Sequence, residues 1–164
     1  MRTSGICGGR KNKINKKFPF VDLLDLSTLS LSTIGADGEP HAAAVYFAAG
    51  KALRLYFFSD EGSQHSQDVR GDPRAAAAIY PECRDWQDIR GLQLRGEVRA
   101  VEPGPDWDSA WEIYEAKFPF VSELRAVVSR NTLYVFEPYW IRLVDNRRGF
   151  GFKEEWEFPR RKED

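Results

Sequence analysis

The sequence predicts a mainly β domain, six or seven antiparallel strands with one or two helices, closed or nearly closed into a barrel. Three observations predict it. Short apolar runs recur along the chain, separated by turn residues such as Asp37-Gly38. The strongest helical pattern is confined to residues 106–117. No strand–helix–strand rhythm is sustained, and neither G-x-G-x-x-G nor G-x-x-x-x-G-K occurs, which argues against a Rossmann sheet or a P-loop.

At 164 residues the chain has room for one domain with a real core, and 42% hydrophobic residues exclude a disordered composition. The net charge of −1 lacks the cationic excess that nucleic acid demands. No apolar run is long enough to span a bilayer, and no signal-peptide pattern opens the chain. Cys7 and Cys83 match no metal spacing, so a reduced, cytoplasmic setting is the expectation.

In order, residues 1–17 read as a basic, solvated tail, with an anion-binding arm as the functional alternative. Phe18–Leu26 reads as a helix or one strand. Ser27–Ile34 alternates Leu29 and Leu31 with Ser and Thr, a strand with one wet face. Residues 36–40 form a tight turn into the His41 strand, 48–51 the next turn, and a strand from Leu53 follows, so that the first half is a meander of tightly joined strands. Ser63 caps a helix that Pro73 ends. Residues 75–80 form a small, buried strand, 81–88 a polar loop, and 89–101 a long amphipathic strand. Asp106 caps a helix to Lys117 whose Trp107, Ala110, Trp111 and Tyr114 share one face. A second helix or turn covers 120–129, then two strands, Thr132–Glu137 and Tyr139–Val144, then a turn at 145–149 and an irregular strand over 150–158. Lys17-Phe18-Pro19-Phe20-Val21 recurs at 117–121, too short for a repeat architecture.

The chemistry-bearing residues are few. His41 and His65 are the only histidines, and no metal-ligand spacing joins them. No G-x-S-x-G or Cys–His signature supports a hydrolase. The turn from Ser59 to His65 is the best anion site: two hydroxyls, backbone N–H groups and an imidazole stand at a helix start, where a phosphate is favoured. The plainer alternative is a polar turn in which Ser63 only caps the helix. The strand from His41 to Val45 carries Ala42, Ala43 and Ala44 where strands usually want bulk. That leaves room for a flat ring over the backbone, or for close packing by a neighbour.

The order Phe57-Phe58-Ser59-Asp60-Glu61-Gly62-Ser63-Gln64-His65, then Asp72-Pro73-Arg74-Ala75-Ala76, then Arg90-Gly91-Leu92-Gln93-Leu94-Arg95-Gly96 resembles the pyridoxamine 5′-phosphate oxidase-like, FMN-binding split-barrel superfamily. In that superfamily an aromatic pair ends in Ser or Thr, and a Ser–Arg–Lys-like triplet grips the FMN phosphate. Here Ser59 and Ser63-Gln64-His65 stand at those positions. The ending Ile141–Gly151 is similar to a small bacterial branch that also carries His in place of Lys. The resemblance covers residues 25–152 or so.

The resemblance implies a six- to seven-stranded antiparallel split barrel with one to three peripheral helices over residues 18–158, followed by a charged tail at 159–164. It implies FMN as cofactor and a homodimer whose groove is shared by two barrels. His41, Ala42, Ala43, Ala44 and Val45 would meet the isoalloxazine edge. Phe58 leads into the phosphate grip of Ser59, Ser63, Gln64 and His65. Arg90 and Gln93 would touch the ring or ribityl chain. The expected function is that of an FMN-dependent oxidoreductase acting on a small molecule. A flavin or haem carrier and a deazaflavin-dependent reductase are the alternatives on the same barrel. Two departures argue against pyridoxamine phosphate oxidation itself: the oxidase's Arg-x-His-Asp-Arg-like segment is absent, and Val144 stands where the oxidase has tryptophan.

Overall fold

A computed structural model of the chain describes residues 18–160. The basic tail expected at 1–17 and the last residues of the charged tail, 161–164, lie outside the described residues. Residues 21–25 form a 3₁₀ turn whose Leu23 and Leu24 are buried. β1 (Thr28–Ile34) turns Leu29, Leu31 and Thr33 inward and Ser30 and Ser32 outward. It pairs antiparallel with β2 (Pro40–Tyr46) through the expected tight turn, where Gly38 takes a φ of +84°.

The next turn is not at 48–51. Ala48–Ala49 is a two-residue strand, β3, and the chain reverses through a 3₁₀ turn at Lys51–Leu53 before β4 (Leu55–Ser59). Ala48 and Ala49 are buried. Helix α1 (Gln64–Gly71) follows, capped by Ser63 as expected, and ends where Asp72 is driven to extended geometry ahead of Pro73. β5 (Arg74–Ile79) and β6 (Arg90–Ala100) pair next.

Helix α2 (Pro105–Lys117) is capped two residues earlier than predicted. Gly104 is its N-cap and Pro105 its first residue, while Asp106 lies in the first turn without capping. Pro suits that position because its missing N–H would have no helical partner. The helix or turn expected at 120–129 is two single turns, α3 (Phe120–Glu123) and α4 (Arg125–Val128). The repeated Phe-Pro-Phe-Val opens a helical turn in both places.

The two strands expected around Pro138 are one, β7 (Thr132–Asp145). Pro138 does not break it because the ladder to β6 shifts register there, with Arg95 opposite Trp140 and Gly96 opposite Pro138, leaving Tyr139 unpaired. Gly96 is required at this shift, since a Cβ would lie 2.5 Å from the Glu137 carbonyl oxygen. β8 (Lys153–Glu157) completes the sheet.

The strand order is β2-β1-β5-β6-β7-β4-β3, with β8 on the second half of β7. Every pairing is antiparallel, and the sheet curls into a split barrel with the helices at its periphery. The expected meander therefore holds only within the two hairpins. β2 and β3 end on opposite edges of the sheet, and β2 packs against β4 without a ladder between them. Leu31, Phe47, Leu55, Ile79, Leu92, Phe136 and Leu143 fill the interior. Trp111, Tyr114 and Phe118 of the α2 segment cover Ala48 on the outside, and Ala110 joins the adjoining cluster with Tyr56, Leu133 and Val135. Among the described residues no helix is long and apolar enough to cross a membrane.

Candidate functional site

β2 is an edge strand with one side lacking a ladder partner, so a row of its backbone N–H and C=O groups is left without a strand to pair with. Ala42 and Ala44 face outward, Ala43 and Val45 inward, and none of the three alanines reaches far enough to close over that edge. α1 packs against both β1 and β2, its Asp68 reaching Thr33 of β1 and His41 of β2.

At that first turn three polar side chains converge. Ser59 Oγ lies 2.6 Å from His65 Nε2 and 3.1 Å from Ser63 Oγ, and Ser63 Oγ lies 3.2 Å from His65 Nε2. Ser63 Oγ also accepts from the Ser66 amide at 3.4 Å and donates to Ser66 Oγ at 2.8 Å. The amides of Gln64 and His65 meet no acceptor among the described residues, as expected for a helix start. Burial holds the His65 imidazole below its ordinary pKa, against the smaller opposing pull of Asp68.

One turn further along α1 lies a residue the sequence reading missed. Asp68 is buried, and its carboxylate accepts from Thr33 Oγ1 at 2.7 Å and from Gln64 Nε2 at 2.8 Å, with His41 Nδ1 at 2.8 Å. Burial works to raise its pKa, but these hydrogen bonds outweigh it and hold the carboxyl below its ordinary value. The spacing was a usable signal: Asp68 stands at i+4 from Gln64 and i+3 from His65 on one helix face. Asp68 thus ties α1 to β1 and β2, and it acts on the hydroxyl cluster only through its field at His65.

The remaining expected residues lie elsewhere. Gln64 is exposed and its amide is committed to Asp68. Phe58 points to the far side of β4, edge-on to Trp111 and Tyr114 of α2 at 5.6 and 5.1 Å. Arg90 donates to Asp22, to Asp145 at 3.2 Å and to the Pro19 carbonyl at 2.9 Å, a cross-link of the chain start to the sheet. Gln93 faces outward into a trough of about 470 Å³ shared with Ser30, Ser32, Arg95 and Trp140, where it accepts from Arg142 at 3.4 Å. The structure thus brings Ser59, Ser63 and His65 together, joins His41 and Gln64 only through Asp68, with Ala42–Val45 following His41 along β2, and places Phe58, Arg90 and Gln93 apart from them.

A split antiparallel barrel with a hydroxyl–imidazole cluster at a helix start defines the class as a PNPOx-like split-barrel protein. The chain belongs to the pyridoxamine 5′-phosphate oxidase family, whose model matches residues 21–145. It is 33% identical over 117 residues to UPF0306 protein YhbP of Escherichia coli, covering 70% of this chain and 74% of that protein. It is 30% identical over 115 residues to a UPF0306 protein of Enterobacter, covering 70% and 77%. Among solved structures, a haem-binding protein from Mycobacterium smegmatis superposes with a TM-score of 0.69 at 19% identity, over 81% of this chain and 53% of that one. The haem storage protein HutZ from Vibrio cholerae gives 0.64 at 14% identity, over 73% and 88%. A conserved hypothetical protein from Mycobacterium tuberculosis gives 0.70 at 18% identity, over 86% and 91%. At these identities the likeness to solved structures is one of fold.

Proposed function

We propose that this chain binds FMN and acts as a flavin-dependent oxidoreductase. The observation that carries this reading is the convergence of Ser59, Ser63 and His65 at the open N-terminus of α1, a helix that packs against the edge strand β2. A helix start with free N–H groups suits a dianionic phosphate. An edge strand offers alternating donors and acceptors to the polar rim of an isoalloxazine, and its alanines leave a planar ring room. When bound, the flavin supplies the electron-transfer chemistry, and the protein's part is to hold and orient it. Membership of the family supports the cofactor class. The lack of the oxidase's substrate segment points to a different small-molecule substrate.

The active unit in this reading is a homodimer with the cofactor in the shared groove. Exposed Tyr46, edge-on to Phe118 and Phe120, and exposed Leu124 supply apolar surface for a second copy. Sedimentation with and without FMN reads this directly, and a monomer under both conditions would remove the dimer.

Titration of the purified full chain with FMN tests the cofactor. At a hundred times its dissociation constant the ligand adds about 2.7 kcal/mol of stability, read as a raised Tm. Ser63→Asp should keep the helix cap, because Asp caps as well as Ser, yet repel a phosphate. Its predicted signature is a folded protein with FMN binding lost. A wild-type chain that gains neither colour nor Tm with FMN overturns the reading. NADH or NADPH oxidation by the FMN-loaded protein separates enzyme from carrier.

A second reading is haem binding or storage, favoured by the haem proteins that share this barrel. His65 is the weaker candidate as an axial ligand because both nearby hydroxyls engage its Nε2. A Soret band on adding haemin, in a protein indifferent to FMN, would select this reading.

A further inference from the structure

Among the described residues no lysine or arginine bonds to the hydroxyl–imidazole cluster at the start of α1. The basic residue of that helix, Arg70, is turned to the Glu61 carbonyl at 3.2 Å. Arg54 and Arg99 are held by Glu137 at 2.9 and 3.1 Å. Negative charges also stand near the turn: Asp60 accepts from the Gly62 amide at 2.6 Å, Glu61 from Thr132 Oγ1 at 2.6 Å, and Asp68 is buried one turn on. Among the described residues, the groups that converge at the turn itself are hydroxyls, amide N–H groups and the His65 ring, while Arg70 and Arg99 line a small cavity of about 190 Å³ beside Ser66. A phosphate dianion desolvated at the turn without a compensating positive charge would be held poorly.

Resting on the phosphate reading above, we infer that a phosphate monoester binds at this turn together with one proton, which His65 takes up. Nε2 already faces both hydroxyls, so protonation turns it into a donor toward the ester oxygens. The hydroxyls of Ser59 and Ser63 are then free to rotate and donate as well. The proton comes from solvent because burial keeps the ring neutral in the free protein at neutral pH.

The groups around the ring favour this exchange. Asp68, on the same helix, is the carboxylate whose field favours the charged ring. His41 on β2 meets the same carboxylate at 2.8 Å. Phe57 of β4 lies 6.4 Å from the His65 ring, with Tyr134 of β7 stacked behind it at 5.4 Å, and neither carries charge at neutral pH. A lysine in this position would hold its charge before the ligand arrives, whereas His65 acquires it on binding. Occupancy therefore falls with rising pH.

Calorimetric titration of the full chain with FMN above pH 7, where the ester is dianionic because its second ionisation lies near ~6, tests this. Run in buffers of different ionisation enthalpy, the observed heats should report uptake of about one proton per FMN, and affinity should weaken by up to about tenfold per pH unit until the bound imidazolium itself titrates. Riboflavin, which lacks the phosphate, should bind without uptake. His65→Lys should bind FMN with no proton uptake and a nearly flat pH dependence over this range. His65→Gln should bind more weakly, also without uptake. If wild-type FMN binding proceeds with no proton uptake, the inference is overturned while the flavin reading stands. If uptake persists in both variants, the proton belongs to another group and the assignment to His65 is overturned. If FMN does not bind the wild type at all, the phosphate reading fails first and the coupling falls with it.

Discussion

His41 Nδ1 lies 2.8 Å from Asp68 Oδ2, and the same carboxylate oxygen accepts from Thr33 Oγ1 at 2.7 Å. One buried acid thus ties α1 to both strands of the first hairpin. Asp68→Ala leaves Thr33, His41 and Gln64 without their acceptor and should cost about 3 kcal/mol in urea unfolding. The depressed pKa fixes the sign of the pH dependence. The acid's contribution is complete above its unfolded pKa of about 3.9 and is lost as pH falls through the lower folded value, so wild type and Asp68→Asn should converge in strong acid. A gap that stays constant down to pH 2 would contradict this.

Arg90 is a structural clamp. It joins Asp22 and the Pro19 carbonyl to Asp145, which Arg147 also holds through bonds of 2.9 Å. Arg90→Gln should lower stability by about 2 kcal/mol, less than for a buried acid left with no cation, because Arg147 remains. FMN affinity should change less than twofold. A tenfold loss of affinity at unchanged stability would instead return Arg90 to the cofactor site.

Lys117 Nζ donates to the Leu24 and Leu26 carbonyls at 2.9 and 2.7 Å and lies 4.0 Å over the Phe47 ring. Burial lowers its pKa to about 8, while burial raises that of Tyr114 to about 12. Between pH 8 and the unfolded lysine value near ~10.4, the unfolded chain binds the extra proton, so stability rises with pH. Lys117 is only half-buried, so the gain should be about 1 kcal/mol after discounting for solvent screening. Above a pH of about 10 the unfolded tyrosine ionises before the folded one, and stability should fall again. Chemical denaturation across pH 7–11 checks this, and Lys117→Met should flatten the rising limb.

Ala52 and Leu53 both adopt left-handed backbone, with φ of +54° and +59°. Ala52→Gly relieves one of these and should raise stability by about 1 kcal/mol, read as a higher urea midpoint with unchanged slope. Ala52→Val should lower it.

The parts of the fold written in local patterns were legible. Leu29 and Leu31 announce β1, and Ala110, Trp111 and Tyr114 announce the buried face of α2. Pro138 read as a strand breaker because its consequence depends on Gly96, far away in sequence, which accepts the register shift. Ser59, Ser63 and His65 were legible as a cluster because they lie within one turn. The partners of Asp68 were not, since Thr33 and His41 precede it by 35 and 27 residues. Arg90 was misplaced for the same reason: its acids are 68 and 55 residues distant. Contacts made by chain reversal leave no periodicity to read.

β7 is the keystone of assembly order. Its first half carries β4, its second half carries β8, and β6 runs along its opposite side. Until residues 132–145 have left the ribosome, β4 has only the two residues of β3 to pair with, and the edge of β6 is bare. Closure is therefore a late event, and a chain truncated at residue 131 should remain protease-sensitive and prone to association through those naked edges.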